Sequence, residues 1–145
     1  MYKRILAAFD GSKGAERALR HAACLQKLSG AELLVLTVYR HHSLLEASMS
    51  MVRPEDPGTI DDAMRDHARE VAEQGKSIAT DAGSDRFRAF VKGGQPARTV
   101  VAFAKEHDCD LIVVGSRGLG DLEGYLLGSV SHKVTSLAGC PVMVV

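Results

Sequence analysis

Apolar positions along the chain follow two alternating rhythms. Short apolar runs predict strands over 4–9, 32–39, 87–91, 110–114 and 141–145; the second is apolar on both faces and reads as central, and the fourth reads as fully buried. Between them lie segments with helical spacing. The first covers about 14–28 and puts Ala15, Ala18, Leu19, Ala22, Leu25 and Leu28 on one face. The others cover 59–81, 96–107 and 130–138. Terminal signals agree with these bounds. Ser12 or a neighbour caps the first helix and Gly30 stops it. Thr59 with Asp62 reads as a capping box, Pro96 suits a first helical turn, and Gly139 ends the last helix. Residues 40–58, with Pro54 and Pro57, break the rhythm and predict a long loop of the kind that forms lids or binding surfaces.

Alternating strands and helices predict a parallel sheet covered by helices on both faces. Five strands with right-handed crossovers predict a doubly wound α/β domain of strand order 3-2-1-4-5, with residues 1–145 as one domain. Winding then reverses between strands 1 and 4, and ligands of such sheets bind beyond the carboxyl ends of the strands at that reversal. The connections meeting there are Asp10-Gly11-Ser12 and the segment that begins at Gly115.

That segment carries the most informative spacing in the chain. Gly115, Gly118, Gly128 and Ser129 form G-x2-G-x9-G-S, directly after a buried strand and directly before a helix. A glycine-rich link of this kind presents backbone N–H groups at the positive end of a helix dipole, which suits phosphate. The absent Cβ atoms permit left-handed turns and close ligand approach.

Composition narrows the possibilities. Eighteen basic residues balance eighteen acidic ones, so no global field draws the protein to nucleic acid or an anionic membrane. No apolar stretch nears the ~20 residues that span a bilayer, and Met1-Tyr2-Lys3-Arg4 leads straight into a strand, so no signal peptide is expected. Three unclustered cysteines, Cys24, Cys109 and Cys140, fit a reducing cytoplasm and neither a disulfide framework nor a four-cysteine zinc site. There is no G-x4-G-K-S/T loop and no G-x-G-x-x-G after the first strand. With 5% aromatic residues and no tryptophan, few side chains are available to stack on a flavin. His41 and His42 read as a solvated pair and Cys140 as a packed thiol.

The chain resembles the universal stress protein family over its whole length. The resemblance rests on Ile5-Leu6-Ala7-Ala8-Phe9-Asp10-Gly11-Ser12, Gly94-Gln95-Pro96-Ala97, Asp110 to Gly118, and Leu127-Gly128-Ser129-Val130-Ser131. The complete G-x2-G-x9-G-S spacing is similar to that of the family's ATP-binding branch. The resemblance implies a Rossmann-like, cytoplasmic, homodimeric protein of the stress response that binds ATP with Mg2+ or Mn2+. Carried over by position, it implies Asp10 near the ribose and phosphates or on the phosphate-bound metal. Val38 would offer its backbone to the adenine edge. Gly115, Gly118, Gly128, Ser129, Val130 and Ser131 would line the ribose and triphosphate. Ala8 stands where some relatives carry proline, and Arg117, between two matching glycines, could either reach phosphate oxygens or point to solvent. Asp10 could instead serve only as a helix cap.

Phosphoryl transfer needs a positioned base or water-orienting group and cationic charge at the γ-phosphate. Only Arg117, Lys13 and His132 are candidates for that charge. The residues therefore suggest a nucleotide-dependent dimeric switch. A slow ATP hydrolase completed by residues 40–58 or a partner, and a nucleotide-free dimeric scaffold, are the alternatives. Strand 5, Pro141 to Val145, is an uncharged apolar edge in the predicted order and is the expected dimer interface.

Overall fold

A computed structural model of the chain describes residues 1–41, 57–118 and 127–145. Five strands pair in parallel in the order β3-β2-β1-β4-β5: β1 Arg4–Ala8, β2 Glu32–Tyr39, β3 Phe87–Gly93, β4 Leu111–Val114 and β5 Val142–Val144. Four helices are described: α1 Lys13–Ser29, α2 Pro57–Asp81, α3 Pro96–Glu106 and α4 Ser129–Leu137. The order is the one the apolar pattern predicts.

Two cores form because strand side chains alternate between faces. On one face Ile5, Ala7, Leu33, Val35, Leu111 and Val113 pack with Ala18, Leu19 and Ala22 of α1 and Val71 and Ala79 of α2. On the other, Leu6, Leu34, Leu36, Ile112 and Val114 pack with Val100 and Phe103 of α3 and Val134 of α4. Cys109 and Cys140 belong to this second face. Burial pushes the Cys109 thiol up to about 11, and burial followed by the charge of Asp110 raises that of Cys140. At neutral pH both are packed thiols rather than thiolates.

Several helix ends follow the expected chemistry. Ser12 Oγ accepts from Ala15 N at 3.1 Å, and Gly30 closes α1 in the left-handed conformation, φ 72°. Gln95 caps α3, accepting from Arg98 N at 2.8 Å, with Pro96 in the first turn. Two expected ends are corrected. Helix α2 opens at Pro57, so Thr59 lies inside it rather than at its cap. Proline lacks only a donor that the first turn leaves unpaired, and its fixed φ is already helical. Helix α4 ends through an extended Ala138 (φ −65°, ψ 139°), and Gly139 is not left-handed. The chain must run almost at once into Pro141, which favours extended backbone before it. Of the predicted 40–58 loop, residues 42–56 lie outside the described residues, as does the middle of the glycine segment, 119–126.

At the carboxyl edge of the sheet, the chain leaving β4 meets the start of α1 backbone to backbone. A Cβ on Gly115 would sit 2.7 Å from Gly14 C and 2.8 Å from Gly14 O, and one on Gly14 would collide with the Arg117 carbonyl. Gly115→Ala should therefore destabilise the fold by about 1–3 kcal/mol in urea unfolding, as overpacking does. Gly139→Ala is the control. Nothing lies within 4 Å of its added Cβ, so it should be neutral or stabilising by up to about 1 kcal/mol.

Candidate functional site

A crevice opens where β1 ends below its neighbour. Ala8 is the last residue of β1 and pairs with Leu36, whereas β2 continues to Tyr39. Phe9 N donates to Leu36 O at 2.9 Å, so the backbone groups of Leu36 face β1. Strand backbones alternate with a period of two, so those of Val38 face the same side. There the β1 ladder has ended, and the N–H and C=O of Val38 are turned into the gap. Tyr39, out of phase, points its carbonyl the other way and accepts from Gly94 N at 2.8 Å.

The turn after β1 is held by its own side chains. Gly11 takes φ 87°, which glycine adopts without strain. Ser12 N then donates to Asp10 Oδ1 at 2.9 Å, while Ser12 Oγ caps α1. Asp10 thus shapes the turn and lines the crevice, with Ser12 as the cap of α1.

Ser116 draws together the two ends of the glycine segment. Its N–H donates to Val145 O at 2.7 Å, and its carbonyl accepts from Gly128 N at 2.5 Å and from Ser131 Oγ at 3.0 Å. Ser131 is buried, and its hydroxyl also lies 3.0 Å from Gly128 O. Its hydroxyl hydrogen is therefore directed at protein carbonyls. The N-cap of α4 is Gly128, with φ −74° and no side-chain cap. This contrasts with α1 and α3, whose first turns are capped by Ser12 and Gln95. The first-turn N–H groups of α4, at Ser129, Val130 and Ser131, receive no such oxygen from the N-cap and sit at the positive end of the helix dipole.

The cavity bounded by these parts measures about 300 Å³. The structure brings nine of the sequence-predicted residues to its wall: Ala8, Asp10, Val38, Gly115, Arg117, Gly118, Ser129, Val130 and Ser131. Gly128 is not part of the wall but caps the helix that is. Lys13 and His132, the other candidate cations, do not line it. The reasons for two glycines also change. Gly115 makes room for α1 rather than for a left-handed turn, and Gly128 is extended.

Sequence reasoning missed Arg40, Pro96 and Val100, which close the crevice on the β2 and α3 side. A signal for Arg40 was present, since it continues the two-residue phase of Leu36 and Val38. His41 is exposed, as expected, with Nδ1 3.4 Å from Asp61 Oδ2 and its ring edge-on to Tyr39, centroids 5.4 Å apart. The Arg65 guanidinium hydrogen-bonds Tyr39, which raises it above its ordinary value. Among the described residues no group of three or more His, Cys, Asp or Glu side chains could hold a metal ion.

A doubly wound parallel domain with its crevice at the winding reversal, walled by an apolar slot and an uncapped helix start, belongs to the class that holds small ligands at that point. The sequence profile of the universal stress protein family matches residues 1–145, and the chain belongs to that family. Universal stress protein YxiE of Bacillus subtilis is 36% identical over 148 residues, spanning all of this chain and 99% of the relative. A solved universal stress protein in complex with cAMP superposes with TM-score 0.76 at 25% identity, covering 99% of this chain and 97% of its own. The universal stress protein from Archaeoglobus fulgidus in complex with dAMP gives 0.67 at 25% identity, with the same coverage.

Proposed function

We propose that this protein binds ATP with a divalent cation and acts in the stress response as a cytoplasmic, nucleotide-dependent homodimeric switch. The observation that carries the reading is the pairing of two backbone features across one crevice. At the β2 end, Val38 turns a donor and an acceptor into an apolar slot of Ala8, Leu36, Pro96 and Val100, which suits the polar edge and flat faces of adenine. At the α4 end, the uncapped N-terminus and Arg117 suit the phosphates. Relatives that hold cAMP and dAMP support adenine as the base.

The donor set fits a metal carried in by the nucleotide. Asp10 is the carboxylate on the wall, and Mg2+ is commonly held by one or two carboxylates together with substrate phosphates. Mn2+ suits the same oxygen donors. The cation would supply charge neutralisation along the triphosphate. Arg117 and Arg40 are the wall's cations among the described residues, placed to hold negative charge along the nucleotide.

Gly118→Val and Gly128→Val should abolish ATP binding measured by calorimetry, with far-UV circular dichroism unchanged. Asp10→Asn should weaken Mg-ATP far more than metal-free ATP. Normal affinity in both folded glycine variants would overturn the site.

The dimer is proposed through the β5 edge. The opposite edge, β3, carries Arg88 and Lys92, charges that discourage pairing. The β5 edge has none, and Val142, Met143, Val144 and Val145 are all half-buried in the single chain. Pairing with the same strand of a second copy about a two-fold axis would satisfy the backbone and cover these side chains. Lysine at both Val142 and Val144 should give monomers or insoluble protein in sedimentation. An unchanged soluble dimer would place the interface elsewhere.

A further inference from the structure

We infer that Arg40 is a base-recognition residue whose guanidinium lies over the face of the bound purine and selects it against pyrimidines. This rests on the reading of the crevice as an adenine-nucleotide site.

Arg40 follows Leu36 and Val38 on the same phase of β2, and all three line the crevice. The residues on either side of it take the opposite phase and are tied to α2. Tyr39 is hydrogen-bonded by Arg65, and His41 faces Asp61 at 3.4 Å. The His41 ring also lies against Gly93 of β3, in the space a Cβ there would take. With both flanks turned toward α2, the Arg40 side chain is left on the crevice side, where it lines the wall.

Its position decides which part of the ligand it meets. The helix start that suits phosphate belongs to the β4 side of β1, whereas Arg40 stands at the end of β2, on the other side. The crevice wall on the β2 and α3 side also carries the apolar Leu36, Val38, Pro96 and Val100, while its carboxylate among the described residues, Asp10, follows β1. Arg40 has no ion-pair partner among the described residues. An arginine beside an apolar slot offers a flat cation to a π-face, and a purine presents more of that face than a pyrimidine. Arg117, on the α4 side, is the cation placed for the phosphates.

The test is calorimetric titration of ATP, AMP and CTP into the wild-type protein, Arg40→Ala and Arg40→Lys. Base contact predicts that Arg40→Ala weakens ATP and AMP by the same factor, about 5- to 20-fold, and narrows the preference for ATP over CTP. Arg40→Lys should recover only a small part of the loss, because an ammonium lacks the planar fork. A loss confined to ATP, with AMP unaffected, would make Arg40 a phosphate ligand and overturn the inference. Unchanged affinity for both nucleotides would overturn it equally. If the wild-type protein binds neither ATP nor AMP, the proposed function itself fails, an outcome distinct from either of these.

Discussion

The early end of β1 is the constraint on which the rest of the site depends. A parallel sheet satisfies its backbone through neighbouring strands, so a strand that stops at Ala8 beside one that runs to Tyr39 leaves backbone groups facing a gap. The chain cannot extend β1, because Asp10, Gly11 and Ser12 fold into a turn that starts α1. The gap is therefore built in. Its floor is the end of β1, its sides are β2 and the segment after β4, and its roof comes from the starts of α3 and α4.

Closing this space required an unusually close approach on one side. Gly14 and Gly115 let the chain after β4 lie directly on the first turn of α1, and Ser116 then gathers the returning chain through three hydrogen bonds. These contacts fix the start of α4 while leaving its N-cap without a side-chain acceptor. A serine at position 128 would give the first turn an internal oxygen; glycine leaves those donors to face the crevice. Local stability is forgone where an anion can replace it.

Charge is distributed in keeping with that division. Most ion pairs of the described residues lie on the surface away from the crevice, as between Arg20 and both Glu16 and Asp81, or between Arg88 and Glu32. Burial by itself would raise the Glu32 carboxyl, but the Arg88 hydrogen bond and the charges of Arg88, Arg4 and Arg86 hold it below the ordinary range. These pairs clamp the amino-terminal edge of the sheet and the outer helix faces. Arg117 and Arg40 on the crevice wall are in none of them.

The apolar rhythm by itself determined the alternation of strands and helices, and with it the parallel α/β class, because right-handed crossovers leave few packings open. The order 3-2-1-4-5 was an expectation from doubly wound sheets that only the pairing of the strands decided. The glycine spacing located the segment after β4, and the strand-reversal rule located the turn after β1. The sequence could not assign each glycine its task, since φ angles and close approaches depend on what packs opposite. Gly115 proved to face Gly14, and the positive φ at the crevice falls on Gly11 rather than on Gly115 or Gly128. Nor could it show that the Ser131 hydroxyl turns toward Ser116, or that Tyr39 and His41 are held by α2 so that Arg40 faces the crevice. These are contacts between residues far apart in the chain, and only the tertiary structure sets them. One-dimensional patterns record which face of an element is buried; they do not record what meets it there.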